Sequence, residues 1–296
     1  MSRVLKSPLV IRVLSALLLA PPLLFVLLAG SPFLLFLLVV PVAILLVYEW
    51  HHLREPFSLS RFLPLLFGVL LILSSAISGL GIAVQAEAWA PLVRLPISVL
   101  CSVLLLFFFA EGLWRYRPGV AVLEEAGRRF FGVLYCTLPL VLLLEIRLVA
   151  QGGVLICFLL LTIWATDVGA FFVGRRWGKR KLAPHISPGK TYAGFWGGMA
   201  LASVTGGIMA GTLSLPYGWL EATLLGAVLS VVGQMGDLAE SLAKREAGVK
   251  DSGQLIPGHG GLLDRLDSLL FAVPVYYLFL WLHALIPVRG VMTLGG

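Results

Sequence analysis

Long apolar stretches separated by short polar intervals make up most of this chain, and the stretch lengths predict its elements. From Val13 to Tyr48 no charged residue occurs over 36 positions. That run suits two membrane-spanning helices of about 20 residues each, turned at Gly30-Ser31-Pro32, with Pro21-Pro22 expected to kink the first. Further apolar runs at about 62–83, 95–113, 130–149, 152–173, 194–213, 218–239 and 267–287 raise the expectation to about nine spans. The turn between the fifth and sixth is tight. The N-terminal Ser2-Arg-Val-Leu-Lys-Ser segment has the charge of a signal peptide, but no small-residue cleavage site follows and the apolar run continues. The expected fold class is an all-α polytopic integral membrane protein, a helix bundle with a cytoplasmic N-terminus.

Composition agrees with this pattern. Of all residues 59% are hydrophobic and 12% charged, with a mean hydropathy of +0.98; soluble domains carry about 25% charged residues. With a cytoplasmic N-terminus and these spans, nineteen of the 22 Lys and Arg fall on the cytoplasmic side, leaving only Arg94, Arg147 and Arg289 outside. That asymmetry obeys the positive-inside rule, and one span more or fewer would break it. The net charge of +7 is accounted for by cytoplasmic loops lying against anionic headgroups, so no nucleic-acid partner is needed. Cys101, Cys136 and Cys157 all sit in apolar runs and read as small packing residues, with no zinc-like spacing.

Chemistry concentrates in two polar loops, 165–194 and 237–267. The first opens on Asp167 near the end of an apolar run, where a carboxylate must face water, a cation or a hydrogen-bond donor. It continues through a basic run, Arg175 to Lys181, to Ser187-Pro-Gly-Lys190-Thr191. A lysine and two hydroxyls beside a glycine can surround a phosphate, although the glycine frame of a P-loop is absent. In the second, continuation of the eighth helix would place Asp237, Glu240, Ser241 and Lys244 on one face. From Ser241 to Asp267 the chain packs in Lys244, Arg245, Lys250, Asp251, His259, Asp264, Arg265 and Asp267. Asp264 and Asp267 stand three residues apart at the start of the last span, and Pro257-Gly-His-Gly-Gly261 reads as an open approach to them. Hard oxygen ligands beside fixed cations suit Mg²⁺ shared with substrate phosphates. Residues 1–150, with five spans, therefore read as scaffold, and residues 151–296 as the catalytic transmembrane region.

The run Ser241-Leu-Ala-Lys-Arg, then Lys250-Asp-Ser-Gly-Gln-Leu-Ile-Pro-Gly-His-Gly-Gly-Leu-Leu-Asp-Arg-Leu-Asp267, closely resembles the signature of the phosphatidate cytidylyltransferases, or CDP-diacylglycerol synthases. Gln234-Met-Gly-Asp-Leu-Ala-Glu-Ser241 is similar to the family as well. So are Asp167-Val-Gly-Ala, Gly178-Lys, Lys181-Leu-Ala-Pro and Ile186-Ser-Pro-Gly-Lys-Thr191. The resemblance is specific over roughly residues 164–270. One departure is Tyr192-Ala193-Gly194, where members commonly carry Trp-Glu-Gly.

The resemblance implies that CTP and phosphatidic acid react to give CDP-diacylglycerol and pyrophosphate, with Mg²⁺ required. A second, monovalent cation and a homodimer are left open. Asp237 and Asp264 are expected as principal metal ligands, with Asp267 and Asp251 next; Asp264, Asp237, Lys250 and Asp267 form the catalytic group. Lys244, Arg245, Lys250 and Arg265 would neutralise phosphates, joined by His259. Ser187, Lys190 and Thr191 would close a phosphate pocket with Asp167 behind them. The lipid phosphate is already a nucleophile, so catalysis needs positioning and charge neutralisation rather than an activated Ser or Cys. The expected setting is a bacterial inner membrane, with the site facing the cytoplasm and anionic lipids around it. Two other readings stay open, a CTP-dependent polyprenol or lipid kinase and an ion or anion transporter. A CDP-alcohol phosphotransferase is set aside because its Asp-Gly-x-x-Ala-Arg run is absent.

Overall fold

The computed structural model describes residues 25–26, 30–53, 64–70, 72, 97–116, 121–213, 215–253 and 260–283. The first expected span (apart from residues 25–26), Pro21-Pro22, much of the third span and His259 lie outside the described residues. Seven helices are labelled here: α1 Pro32–His52, α2 Ile97–Arg115, α3 Val122–Leu148, α4 Gly152–Trp177, α5 Tyr192–Thr212, α6 Trp219–Glu246 and α7 Leu263–Leu282. Six of them, α1 and α3 to α7, are long and apolar enough to cross a membrane. The apolar part of α2, Val99–Trp114, is shorter. The protein is thus a predominantly helical membrane protein.

The helices start and stop where local chemistry permits. α1 begins directly after Ser31, with Pro32 in its first turn, where a missing N–H costs nothing. α6 opens with the Gly218 N–H donating to Glu221 at 3.0 Å, and closes on Gly248 in the left-handed region (φ +72°), with Val249 N–H returning to the Lys244 carbonyl. α3 and α4 are joined within three residues through Gln151, itself left-handed (φ 59°), which accounts for the tight turn.

Two departures from the sequence reading concern polar segments. The fifth apolar run starts at residue 130, yet α3 begins at Val122. Its first turns carry Glu124, Glu125, Arg128 and Arg129, so these are helical rather than loop residues. Arg129 is buried and bonds Glu111 of α2 at 3.0 Å as well as Glu125 one turn back, which makes the charge affordable inside the bundle. The expected loop 165–194 is mostly regular. α4 runs through Asp167 to Trp177, and β1 (Lys181–Ala183) and β2 (Ser187–Thr191) form an antiparallel hairpin before α5. "All-α" therefore needs this one correction: the hairpin is a small sheet at the end of the bundle.

α4, α5, α6 and α7 pack in sequence, α3 leans on α7, and α1 and α2 pack on α3. The core contains Leu46, Val133, Cys136, Phe158, Leu229, Leu270 and Tyr276. Cys136 and Cys157 are buried and free, as small packing residues should be. Trp164, Val168, Phe171, Phe172, Val204 and Ile208 point outward, an apolar surface suited to lipid.

The closest approach that matters for the site is between α6 and α7. A Cβ on Gly236 would stand 2.6 Å from the Asp267 carbonyl oxygen, so only glycine lets the two backbones touch beside Asp237. Gly236→Ala is expected to force the helices apart at a cost of about 1–3 kcal/mol, read as a lower Tm in detergent. Gly211→Ala, where nothing lies within 4 Å, should leave Tm unchanged or raise it.

Candidate active site

Continuation of α6 to Glu246 puts Asp237, Glu240, Ser241 and Lys244 on one helical stripe, as their spacing predicts. Lys190, on the hairpin, pairs with Asp237, and the Ser241 hydroxyl lies 3.5 Å from the same carboxylate. Across the Gly236 contact, Asp267 is buried and accepts the Ser268 N–H at 2.6 Å. Asp167 on α4 completes the group: Asp167, Asp237 and Asp267 interact electrostatically with one another and with Lys190, and Asp167 also with Arg265. One ammonium thus contacts Asp237, with Asp167 and Asp267 of two further helices within its electrostatic reach.

A second centre lies one turn further along α6. The Lys244 ammonium sits 2.5 Å from Glu240 and 2.5 Å from Oδ1 of Asp264. Oδ2 of Asp264 accepts the backbone N–H of Ser252 at 3.0 Å and of Gly261 at 2.8 Å. Asp264 therefore fastens the two described edges of the cassette loop to α7. Gly260 makes this bend with φ +82°, and a Cβ there would reach 2.8 Å from Asp264 Oδ2. Asp264 and Asp267, although neighbours on one helix start, serve different centres.

The hairpin has its own fastenings. Ser187 pairs with Ala183 in the ladder, and Arg245 donates from Nε to the Ile186 carbonyl at 3.1 Å and from Nη1 to the Val249 carbonyl at 3.2 Å. Thr191 is 6% exposed because its hydroxyl caps α5, accepting the Gly194 N–H at 3.1 Å. The space above Gly189 is open. Ala193 falls in the first turn of α5, where a carboxylate would be favoured by the helix dipole.

The structure thus brings together Asp167, Lys190, Asp237 and Asp267, with Arg265 in electrostatic reach of Asp167, and joins Lys244 to Asp264. Arg245 is spent on the hairpin and Thr191 on a helix cap. Ser187 lies in β2, and Lys250 and Asp251 are exposed beyond Gly248. At Gly260 and Gly261 the approach is filled rather than open, since a Cβ on Gly261 would stand 2.7 Å from a carboxylate oxygen of Glu49. Two carboxylates in contact with these residues lie outside the expected set. Glu240 shares the α6 stripe, a signal present in the spacing. Glu49 ends a 36-residue uncharged run, and its isolation there was the available clue.

Among the described residues, no group of three His, Cys, Asp or Glu side chains is arranged to hold a metal ion. The donor set itself is hard oxygen, with an ammonium already seated on each of Asp237 and Asp264. Mg²⁺ is commonly held by one or two carboxylates plus substrate phosphates, so these residues fit that ion. The two lysines differ in burial, and so should their variants. Lys244→Met would leave the buried Glu240 and the partly buried Asp264 without their cation and is expected to destabilise the protein by about 3 kcal/mol. Lys190→Met breaks a pair that is a quarter to a third exposed and should cost under about 1 kcal/mol. Thermal unfolding of both variants in one detergent gives the comparison.

Comparison with known proteins adds the family. Over 162 residues the chain is 44% identical to the phosphatidate cytidylyltransferase of Bacillus subtilis, covering 54% of this chain and 60% of that protein. It is 51% identical over 129 residues to the phosphatidate cytidylyltransferase of Brucella melitensis, covering 43% and 47%. It is 46% identical over 131 residues to that of Pseudomonas aeruginosa, covering 44% and 48%. These matches span between about half and three fifths of the relatives' lengths. The cytidylyltransferase family model matches residues 10–283, nearly the whole chain, so the protein belongs to the cytidylyltransferase family.

Proposed function

We propose that this protein transfers the cytidylyl group of CTP to phosphatidic acid, giving CDP-diacylglycerol and pyrophosphate. The observation that carries the reading is the pair of lysine–aspartate contacts, Lys190 with Asp237 and Lys244 with Asp264, at adjoining ends of α6 and α7. Family membership and the named relatives support the substrate pair. In the proposed reaction, an oxygen of the lipid phosphate forms a bond to the α-phosphorus as the bond to pyrophosphate breaks. The nucleophile is already ionised, so no side chain has to remove a proton. What the chain must supply is alignment and positive charge near the leaving group.

Lys190 is the best placed of the half-buried cations, because the hairpin carries it over Asp237. Lys244 is held deeper, and its ammonium fixes the Asp264 carboxylate. Arg245, through Ile186, holds the hairpin in place. Lys250, Arg265 and His259 are assigned to the outer phosphates or the lipid headgroup, and Ser187 to the hairpin edge of that pocket. Asp237 and Asp264 would hold Mg²⁺, with Asp267 and Asp167 adjoining and Asp251 at the outer edge. When bound, the ion would neutralise phosphate oxygens and so ease displacement of pyrophosphate. A monovalent cation beside it and a homodimer are compatible with this reading.

The topology belongs to the same proposal: about nine spans, N-terminus and catalytic loops cytoplasmic, in a bacterial inner membrane with anionic lipids. CTP would arrive from the aqueous side, and the lipid phosphate from the headgroup layer between the helices. Residues 151–296 then carry the chemistry, and residues 1–150 support them.

Detergent-purified protein given phosphatidic acid, CTP and Mg²⁺ is expected to form CDP-diacylglycerol and release pyrophosphate in equal amounts. Release of CDP with a phosphorylated lipid would support the kinase instead, and no lipid product under several lipid conditions would sink the enzyme reading. Asp264→Asn at limiting Mg²⁺ should lower turnover on the order of 100-fold. Unchanged turnover would remove Asp264 from the catalytic group.

A further inference from the structure

Glu49 stands at the cassette end of α1 and is 2% exposed. Its partners lie 203 to 214 residues further along the chain. Oε1 accepts the Leu262 N–H at 2.9 Å; Oε2 accepts the Leu263 N–H at 2.7 Å and the Ser252 hydroxyl at 3.2 Å. α7 needs such a partner. Its N-cap is Leu262, whose side chain can accept nothing, so the first N–H groups of the helix would otherwise be buried without acceptors. A carboxylate there also sits at the positive end of the helix dipole.

Ser252 connects Glu49 to the site. Its hydroxyl goes to Glu49 while its backbone N–H goes to Asp264, which also takes the Gly261 N–H. The two carboxylates therefore grip the same two edges of the cassette from opposite sides. Packing leaves no slack between them: a Cβ on Gly253 would lie 2.7 Å from Glu49 Oε1. Asp264 in turn receives Lys244, so the placement of that ion pair depends on where Glu49 holds the loop.

We propose that Glu49 is a positioning residue for the cytidylyl transfer proposed above: it caps α7 from another helix and thereby sets the stance of Asp264 and Lys244. The inference rests on that reading for its kinetic part. An acid is needed because three donors converge on one group. A glutamine offers a single acceptor oxygen and must turn its own N–H₂ toward a donor. An aspartate keeps both oxygens and the charge but is one methylene shorter.

The test uses full-length protein in detergent, with Glu49→Gln, Glu49→Asp and Ser252→Ala. Glu49→Gln is expected to lower kcat by about tenfold to 100-fold, a displacement effect rather than loss of a reacting group. KM for CTP should stay within about threefold. Glu49→Asp should recover part of kcat, and Ser252→Ala should fall between wild type and Glu49→Gln. Amide hydrogen exchange supplies a readout independent of activity: residues 260–265 should exchange faster in Glu49→Gln, with α4 and α5 protected as in wild type. Wild-type kcat with wild-type exchange at 260–265 would overturn the inference, as would loss of protection spread equally through α4 and α5. If Glu49→Gln yields no folded protein, Ser252→Ala decides by the same two measurements. Wild-type protein that forms no CDP-diacylglycerol would defeat the proposed function, while the exchange data would still decide the role of Glu49.

Discussion

The ammonium of Lys244 between the carboxylates of Glu240 and Asp264 is the contact on which the rest of the arrangement depends. Buried charges within a membrane bundle are tolerated only when each has a partner, because little water is there to replace it. Glu240 and Lys244 lie one turn apart on α6, and Asp264 lies on α7, so this ion triad also joins the two helices. The neighbouring centre follows the same logic with less burial: Lys190 from the hairpin against Asp237, with Asp167 and Asp267 close by. In both centres carboxylates outnumber ammonium groups.

Much of this could be read from residue order. Six of the expected spans coincide with helices long enough to cross a bilayer, because a run of apolar residues has few alternatives in that solvent. The stripe Asp237–Lys244 was legible from spacing alone, since helical periodicity fixes which residues share a face. The hairpin was less so. Its residues are polar and glycine-containing, and nothing local distinguishes a short ladder from a loop until Arg245 and Lys190 hold it down. The early start of α3 was hidden for a related reason: Arg128 and Arg129 look like loop cations until Glu111, on another helix, supplies the partner for Arg129.

Division of labour between Asp264 and Asp267 was the harder matter. Spacing puts them side by side, but the backbone contact at Gly236 carries Asp267 toward Asp237, while the cassette loop claims Asp264. Glu49 could not have been tied to that loop by any local pattern. A contact spanning more than 200 residues is a property of the packed bundle, in which α1 reaches α7 beside α3.

α1 is held at its two ends by different partners. At one end the Gly30 carbonyl, just before the helix, accepts from Arg147 at the far end of α3 at 2.5 Å; at the other Glu49 meets the start of α7. Between these points the helix is a strut of fixed length and fixed phase. Each residue in an α-helix adds about 1.5 Å and a turn of about 100°. Substitutions along its lipid-facing side can vary freely in this arrangement. Insertion or deletion of one residue between Gly30 and Glu49 cannot, because it would swing the carboxylate off the helix it caps. The number of residues in this apolar stretch is therefore itself constrained.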